Sequence, residues 1–229
     1  MTGMNLRGPR TMALAAFAAV GGLALLAERV GAQAVAGKAY GTYVNALGVT
    51  TQSPVATLPS TGGMSVGDAE TFGAPNTLDA RWLKAVTTGA VDNSVSSAQS
   101  ISELENVSVL GGLIKADGVT GTASSYRNAS GAASDAAGSG FVNLLVNGVP
   151  VTDVAPNTRV ALPGVGYAVL NEQQRTGDGV TTSGITVNMI HVVLQSVTGG
   201  GCTPLMGCLP EVTMIVGEIV VGSASSAVR

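Results

Sequence analysis

The sequence predicts an all-β protein: one antiparallel β-sandwich, of Greek-key or jelly-roll type, behind an N-terminal helical signal peptide. Three observations carry this. Glycine is spread so densely, 32 in 229 residues, that few windows of a dozen after position 34 escape it, and each costs a helix about 1 kcal/mol. Segments of two-residue alternation are common: Ile114 and Ala116 with Lys115 and Asp117, and Val212, Met214 and Val216 with Thr213 and Ile215. Turn residues divide these segments at short intervals, the pattern of a sandwich or barrel.

Residues 1–34 form the first unit. Arg7 and Arg10 precede the uncharged run "TMALAAFAAVGGLALLA", Thr11 to Ala27, and small residues at alternate positions, Ala32 and Ala34, close the segment. A basic start, a short apolar stretch and small residues before a cleavage point define a secretory signal peptide, cut after Ala34 or, two residues on, after Ala36. The run sits at the short limit of a membrane span, about 17–25 residues, so no span is expected once the signal is gone.

Residues 35–229 then make a single domain of ordinary size. Arg7, Arg10 and Arg29 leave with the signal against one acid, Glu28, so the exported chain is more acidic than the −3 of the whole sequence. That balance argues against nucleic acid as a partner, because phosphates need a basic surface. Charged residues are 11% and aromatics 3% of the chain, which leaves Val, Ile, Leu and Ala to build the core.

The first strand of this domain is "GKAYGTYVNALGV", Gly37 to Val49. Added to the sheet of a neighbouring molecule, it offers a route to self-association and a fibre. Next comes "LPSTGGMSVG", Leu58 to Gly67, which matches two functional patterns. An LPxTG sorting signal belongs near a C-terminus, ahead of an apolar run, so Pro59 and Gly62-Gly63 read here as loop chemistry. GxSxG would make Ser65 a hydrolase nucleophile, on a strand-to-helix turn with an acid and then a histidine downstream. His191, the one histidine, comes later in that order, but "DAETFGAPN" reaches Gly73 and Pro75 before a helix can form. His191 also shares the parity of Ile185, Val187, Met189 and Val193, an apolar face. The stretch therefore reads as a loop in which Ser65 lacks a base.

Glu103 and Glu105, in "SELENVSV", share a strand face about 7 Å apart, the separation of an inverting glycosidase pair. No aromatic platform lies near them in sequence, so a solvated strand face is the reading, with a hydrolase as its rival. "RNASGAASDAAGSG", Arg127 to Gly140, reads as a flexible loop. In "LLVNGVPV", Asn147-Gly148 marks a type I′ hairpin turn. Val146 and Val149 close it, Leu145 faces Pro150, and the proline makes its strand an edge. "LNEQ", Leu170 to Gln173, ends an apolar strand as a turn or a binding rim. Asp178, in "RTGDGV", is an isolated acid that leaves calcium open, although no DxDxDG loop surrounds it.

The two cysteines, Cys202 and Cys208, stand in "GGGCTPLMGC". A second cysteine pair or further histidines for a metal site are missing, and the spacing is not that of a redox CxxC. In an oxidising compartment they are expected to form a disulfide closing a small loop. No catalytic set, cofactor or metal site is expected.

Taken in order, "KAYGTYVNALG", "NVSVLGGLIKADGVTGTA", "NGVPV" with "PNTRVALPGVGYAVLNEQ", "ITVNMIHVVL" and "GEIVVGSASS" resemble the choice-of-anchor P family of exported bacterial surface proteins. The resemblance runs from Lys38 to Ser226. It implies an extracellular β-rich domain delivered with varied C-terminal anchors, and it supplies no catalytic residues. With the export signal and the absence of a catalytic set, the partners expected are cell-surface or matrix components, or further copies of the chain.

Overall fold

Strands form where the sequence alternates. In chain order the first eight are β1 (Val35–Ala46), β2 (Val49–Thr57), β3 (Gly63–Ala74), β4 (Leu78–Val91), β5 (Ser96–Val109), β6 (Ile114–Asn128), β7 (Gly131–Asp135) and β8 (Gly140–Val142). The rest are β9 (Leu145–Val146), β10 (Val149–Pro150), β11 (Thr158–Leu162), β12 (Gly166–Gly177), β13 (Ser183–Thr198), β14 (Cys202–Thr203), β15 (Gly207–Cys208) and β16 (Val212–Val228). The computed structural model describes residues 35–46, 49–92, 94–198, 202–203, 207–208 and 211–229. The expected signal peptide, 1–34, and its cleavage point at Ala34 lie outside them.

Two antiparallel sheets pack face to face, so the sandwich read from the sequence is the architecture observed. Sheet A runs β11-β12-β13-β16-β1-β2; sheet B runs β10-β9-β6-β5-β4-β3, with β7 and β8 also paired to β6. The last strand, β16, lies beside the first, β1, at the centre of sheet A. Between the sheets lie Leu83, Leu104, Ile114, Leu170, Met189 and Ile219, all buried.

Both sheets share one irregularity, and it decides which side chains reach each outer face. In sheet A, neighbouring strands skip a row of pairing: Leu170 faces Ile190 and Glu172 faces Asn188, Ile190 faces Val221 and Asn188 faces Ser223, Thr42 faces Val221 and Tyr40 faces Ser223. The skipped row is Asn171, Met189, Gly222, Gly41 and, on β2, Pro54. Asn171 and Gly222 hold φ of +51° and +68°, and a left-handed residue within a strand rotates the remainder of that strand, as in a β-bulge. Each strand thus turns two consecutive residues inward, such as Met189 with Ile190 and Val221 with Gly222, all buried. The side-chain alternation reverses across the row.

Sheet B reverses in the opposite sense. Trp82 and Asn106 hold φ of +48° and +50°. Glu70 with Thr71, Arg81 with Trp82, and Glu105 with Asn106 are consecutive pairs that all stay exposed. The row in sheet A passes over Leu83 of β4 and Gly121 of β6. A Cβ on Gly41 would come 2.9 Å from Leu83 Cδ2, and one on Gly121 of β6 would come 2.5 Å from the Gly222 carbonyl oxygen. The sheets approach here to backbone contact, which only glycine permits.

The Asn147-Gly148 hairpin forms as the sequence predicts. Both residues have positive φ, Val146 pairs with Val149 and Leu145 with Pro150, and Pro150 lies on the edge strand of sheet B. Two expectations need correction. The expected flexible loop at Arg127–Gly140 is largely strand, β7 and β8, paired to β6. Its small residues fit under sheet A: Ser134 Oγ lies 2.8 Å from Ser125 Oγ and 2.7 Å from Ser183 Oγ, and Ser125 Oγ lies 2.7 Å from Ser226 Oγ. These buried hydroxyls join the two sheets. The start of β16, by contrast, buries neither face. Val212, Met214, Ile215 and Val216 are all exposed, in a ribbon where β16 pairs with the end of β13.

Candidate functional site

Ser65 and His191 belong to different sheets. Pro59 to Gly62 make a turn, closed by the Gly62 N–H donating to the Pro59 carbonyl at 3.0 Å. Strand β3 begins at Gly63, so Ser65 lies within a strand opposite Thr87 and not in a loop. His191 is on β13 of sheet A. The expectation that it sits on the apolar face is wrong, because the reversal between Met189 and Ile190 turns it to the outer face. Glu103 and Glu105 are exposed on β5, opposite Lys84 and Arg81 of β4. That is the solvated face the sequence suggested, and the structure adds basic cross-strand partners. The aromatic ring missing from their sequence neighbourhood is nevertheless near in space, since Trp82 is the residue after Arg81.

The reversal gathers a half-buried polar cluster on the outer face of sheet A. Tyr40, Ser223, Asn188 and Glu172 are successive cross-strand partners on one side of the skipped row; Tyr43, Val220, His191 and Val169 are successive partners on the other. Each strand's two contributors are three residues apart, a spacing that an unbroken strand sends to opposite faces. Glu172 Oε2 accepts from Asn188 Nδ2 at 2.7 Å and lies 3.0 Å from His191 Nδ1. Glu172 Oε1 accepts from Gln174 Nε2 at 3.2 Å, and Ser223 Oγ donates to Asn188 Oδ1 at 2.8 Å. The Tyr40 and Tyr43 ring centroids are 6.3 Å apart, and Lys38 Nζ stands 5.5 Å from the Tyr40 ring.

This packing sets the electrostatics. Partial burial works to raise the Glu172 carboxyl, but the Asn188 hydrogen bond, the His191 charge and the Gln174 hydrogen bond outweigh it and hold the group below its ordinary value. Burial pushes the Tyr40 hydroxyl up; Ser223 opposes this, while Glu218, Tyr43 and Glu172 add to it. His191 Nε2 is buried without a hydrogen-bond partner, Glu218 Oε2 standing 3.5 Å away. The imidazole is oriented by one carboxylate and faced by another, but its second nitrogen does not meet solvent. Such a group ties three strands together; serving as a base would require the site to open.

Of these residues, the sequence singled out His191 and, within "LNEQ", Glu172. "LNEQ" proves to lie inside β12 and not at a turn. Tyr40, Asn188, Glu218 and Ser223 were not legible in the same way. The three-residue spacings Tyr40/Tyr43 and Asn188/His191 were the one available signal.

Asp178 is committed to its own turn. Its Oδ1 accepts from the N–H groups of Val180, Thr181 and Thr182 at 2.9, 2.8 and 2.8 Å, and its Oδ2 from Thr181 Oγ1 at 2.6 Å. These bonds hold its carboxyl well below the usual range. Among the described residues, no three His, Cys, Asp or Glu converge on a metal position. Cys202 faces Cys208 across the two-stranded β14–β15 ladder; their side chains lie outside the described residues. The chain matches no protein-family model, no curated protein and no solved structure.

Proposed function

We propose that this is an exported, non-enzymatic β-sandwich that acts by contact, in an adhesive, matrix or envelope-structural role at the cell surface. The observation that carries it is the polar and aromatic cluster on the outer face of sheet A. Its side chains are held by one another and by four paired strands, so contact with a partner costs little further ordering. The export pattern at the N-terminus and the ordered resemblance to exported surface proteins support the same reading. The separation of Ser65 from His191 by a whole sheet, and the burial of His191 Nε2, weigh against a hydrolase built on them. Donation of β1 to a fibre would mean opening two ladders, since β1 pairs with both β16 and β2.

The test is retention of the purified domain on the surface or matrix of the producing cells. Tyr40→Ala is expected to weaken retention at least about tenfold, the effect of losing a central aromatic anchor. Ser65→Ala should leave it unchanged. Labelling of Ser65 by a fluorophosphonate probe, or turnover of esters abolished by Ser65→Ala, would overturn the non-enzymatic reading.

A further inference from the structure

The outer face of sheet B carries a second arrangement, independent of the sheet A cluster. Trp82 is the chain's single tryptophan. It is 59% exposed, in a left-handed backbone conformation at φ +48°. A bulky residue in that conformation is strained, and strain of this kind collects at functional sites. In the neighbouring strand Asn106 repeats it at φ +50°. The consequence is that Arg81 and Trp82, then Glu105 and Asn106, stand outward together.

A groove of about 330 Å³ lined by Thr71, Phe72, Asp79, Arg81 and Asn106 begins at the residue before Trp82, which does not itself line it. The side chains of Thr71, Asp79, Arg81 and Asn106 make no hydrogen bond or ion pair among the described residues. Together they offer several donors and several acceptors. Two strands on, about 10 Å away, Asp117 accepts from Asn143 Nδ2 at 2.7 Å and both line a larger cleft of about 760 Å³.

We propose that Trp82 is the stacking platform of a saccharide-binding site that runs along this row of sheet B, from the Arg81–Asn106 groove toward the Asp117 cleft. A sugar ring presents a C–H-rich face, which lies on an indole, and hydroxyl edges, which take mixed donors and acceptors. Both halves of that requirement meet here. A protein partner fits less well, because an interface anchor sits among apolar neighbours that exclude water, whereas the exposed residues next to Trp82 in strand register are Glu70, Arg81, Glu105 and Asn106. A nucleic acid is disfavoured by Glu70, Asp79, Glu105 and Asp117, whose charge opposes phosphate. The same acids select a neutral over an acidic saccharide, and the length of the row selects a chain over a single sugar. The proposal does not depend on binding at sheet A.

The single tryptophan makes the test direct. Mature protein is titrated with cellohexaose and chitohexaose while Trp82 emission is monitored, and retention on insoluble cellulose and chitin is measured in parallel. At least one of these probes should give a saturable emission change and retention. Trp82→Ala should lose at least tenfold in affinity, Trp82→Phe should keep part of it, and Arg81→Ala should weaken it. Glu172→Gln, on the other sheet, should bind as wild type does. Trp82→Gly should melt no lower than Trp82→Ala, since glycine relieves the strained φ, yet bind no better; a merely structural role would not separate stability from binding in this way. The proposal is overturned if no probe binds at millimolar concentration, if Trp82→Ala binds as wild type, or if Trp82 mediates capture of a protein while every saccharide fails.

Discussion

Gly222→Ala probes the contact on which both sheets depend. At φ +68° an alanine costs about 1–2 kcal/mol for the left-handed conformation. Its Cβ would also lie 2.9 Å from Val119 Cγ1 and 3.2 and 3.3 Å from Met189 Cβ and Cγ. Val119 and Met189 are each 1% exposed, so neither has room to retreat, and overpacking of that kind adds about 1–3 kcal/mol. The two effects together come to about 2–5 kcal/mol. With a urea slope of about 2 kcal/mol/M, the unfolding midpoint of the mature domain should fall by about 1–2.5 M. Gly148→Ala is the matched control, with φ +77° and no atom within 4 Å of the added Cβ; it should cost only the backbone contribution, about 0.5–1 M. Removing the obstructing methyl should couple the sites: Gly222→Ala with Val119→Ala should be less destabilised than the two single changes summed, by about 0.5 kcal/mol or more. Equilibrium urea melts monitored by tryptophan emission and by far-UV dichroism measure the four variants against wild type. If Gly222→Ala loses no more than Gly148→Ala, the sheets do not meet at this row and the reasoning fails.

Acid should loosen sheet A through Glu172. Its carboxyl titrates lower in the folded protein than unfolded, so its stabilisation is complete above the unfolded value of about 4.3 and is lost as pH falls through the folded one. Urea midpoints should therefore drop below about pH 4.3 in wild type and less steeply in Glu172→Gln; parallel curves would refute it. Directly opposed residues in an antiparallel ladder have Cα atoms about 4.5–5.5 Å apart, within disulfide range, so Cys202 and Cys208 are expected to be joined in secreted protein. Thiol titration after unfolding without reductant should find none free. Val35 is fully buried and opens β1 opposite Val228, which favours cleavage after Ala34 over Ala36. Intact mass of secreted protein should correspond to a chain starting at Val35, and a start at Gly37 would contradict this.

The sandwich and its turns were legible because they rest on local physics. Alternation in "LIKAD" buries Ile114 and Ala116 and exposes Lys115 and Asp117, as the pattern predicts. Asn147-Gly148 makes its turn because those two residues tolerate positive φ, and Pro150 marks an edge because it has no N–H to donate. None of these needs knowledge of the rest of the chain. The apolar face assigned to His191 and the loop assigned to Arg127–Gly140 failed for the opposite reason. Small residues there look like linker until sheet A supplies Ser183 and Ser226 as their partners.

The sequence by itself determined that the chain folds as a β-sandwich and that one hairpin turns at Asn147-Gly148. Only the tertiary structure decided which way each side chain faces. Trp82, Asn106 and Asn171 in left-handed backbone are ordinary strand residues when read one at a time, and their conformations become clear only where neighbouring strands reverse together. Parity along a strand is cumulative, so one reversal carries every later residue to the other face. That is why His191 leaves the core for Glu172, and why Trp82 stands in solvent beside Arg81.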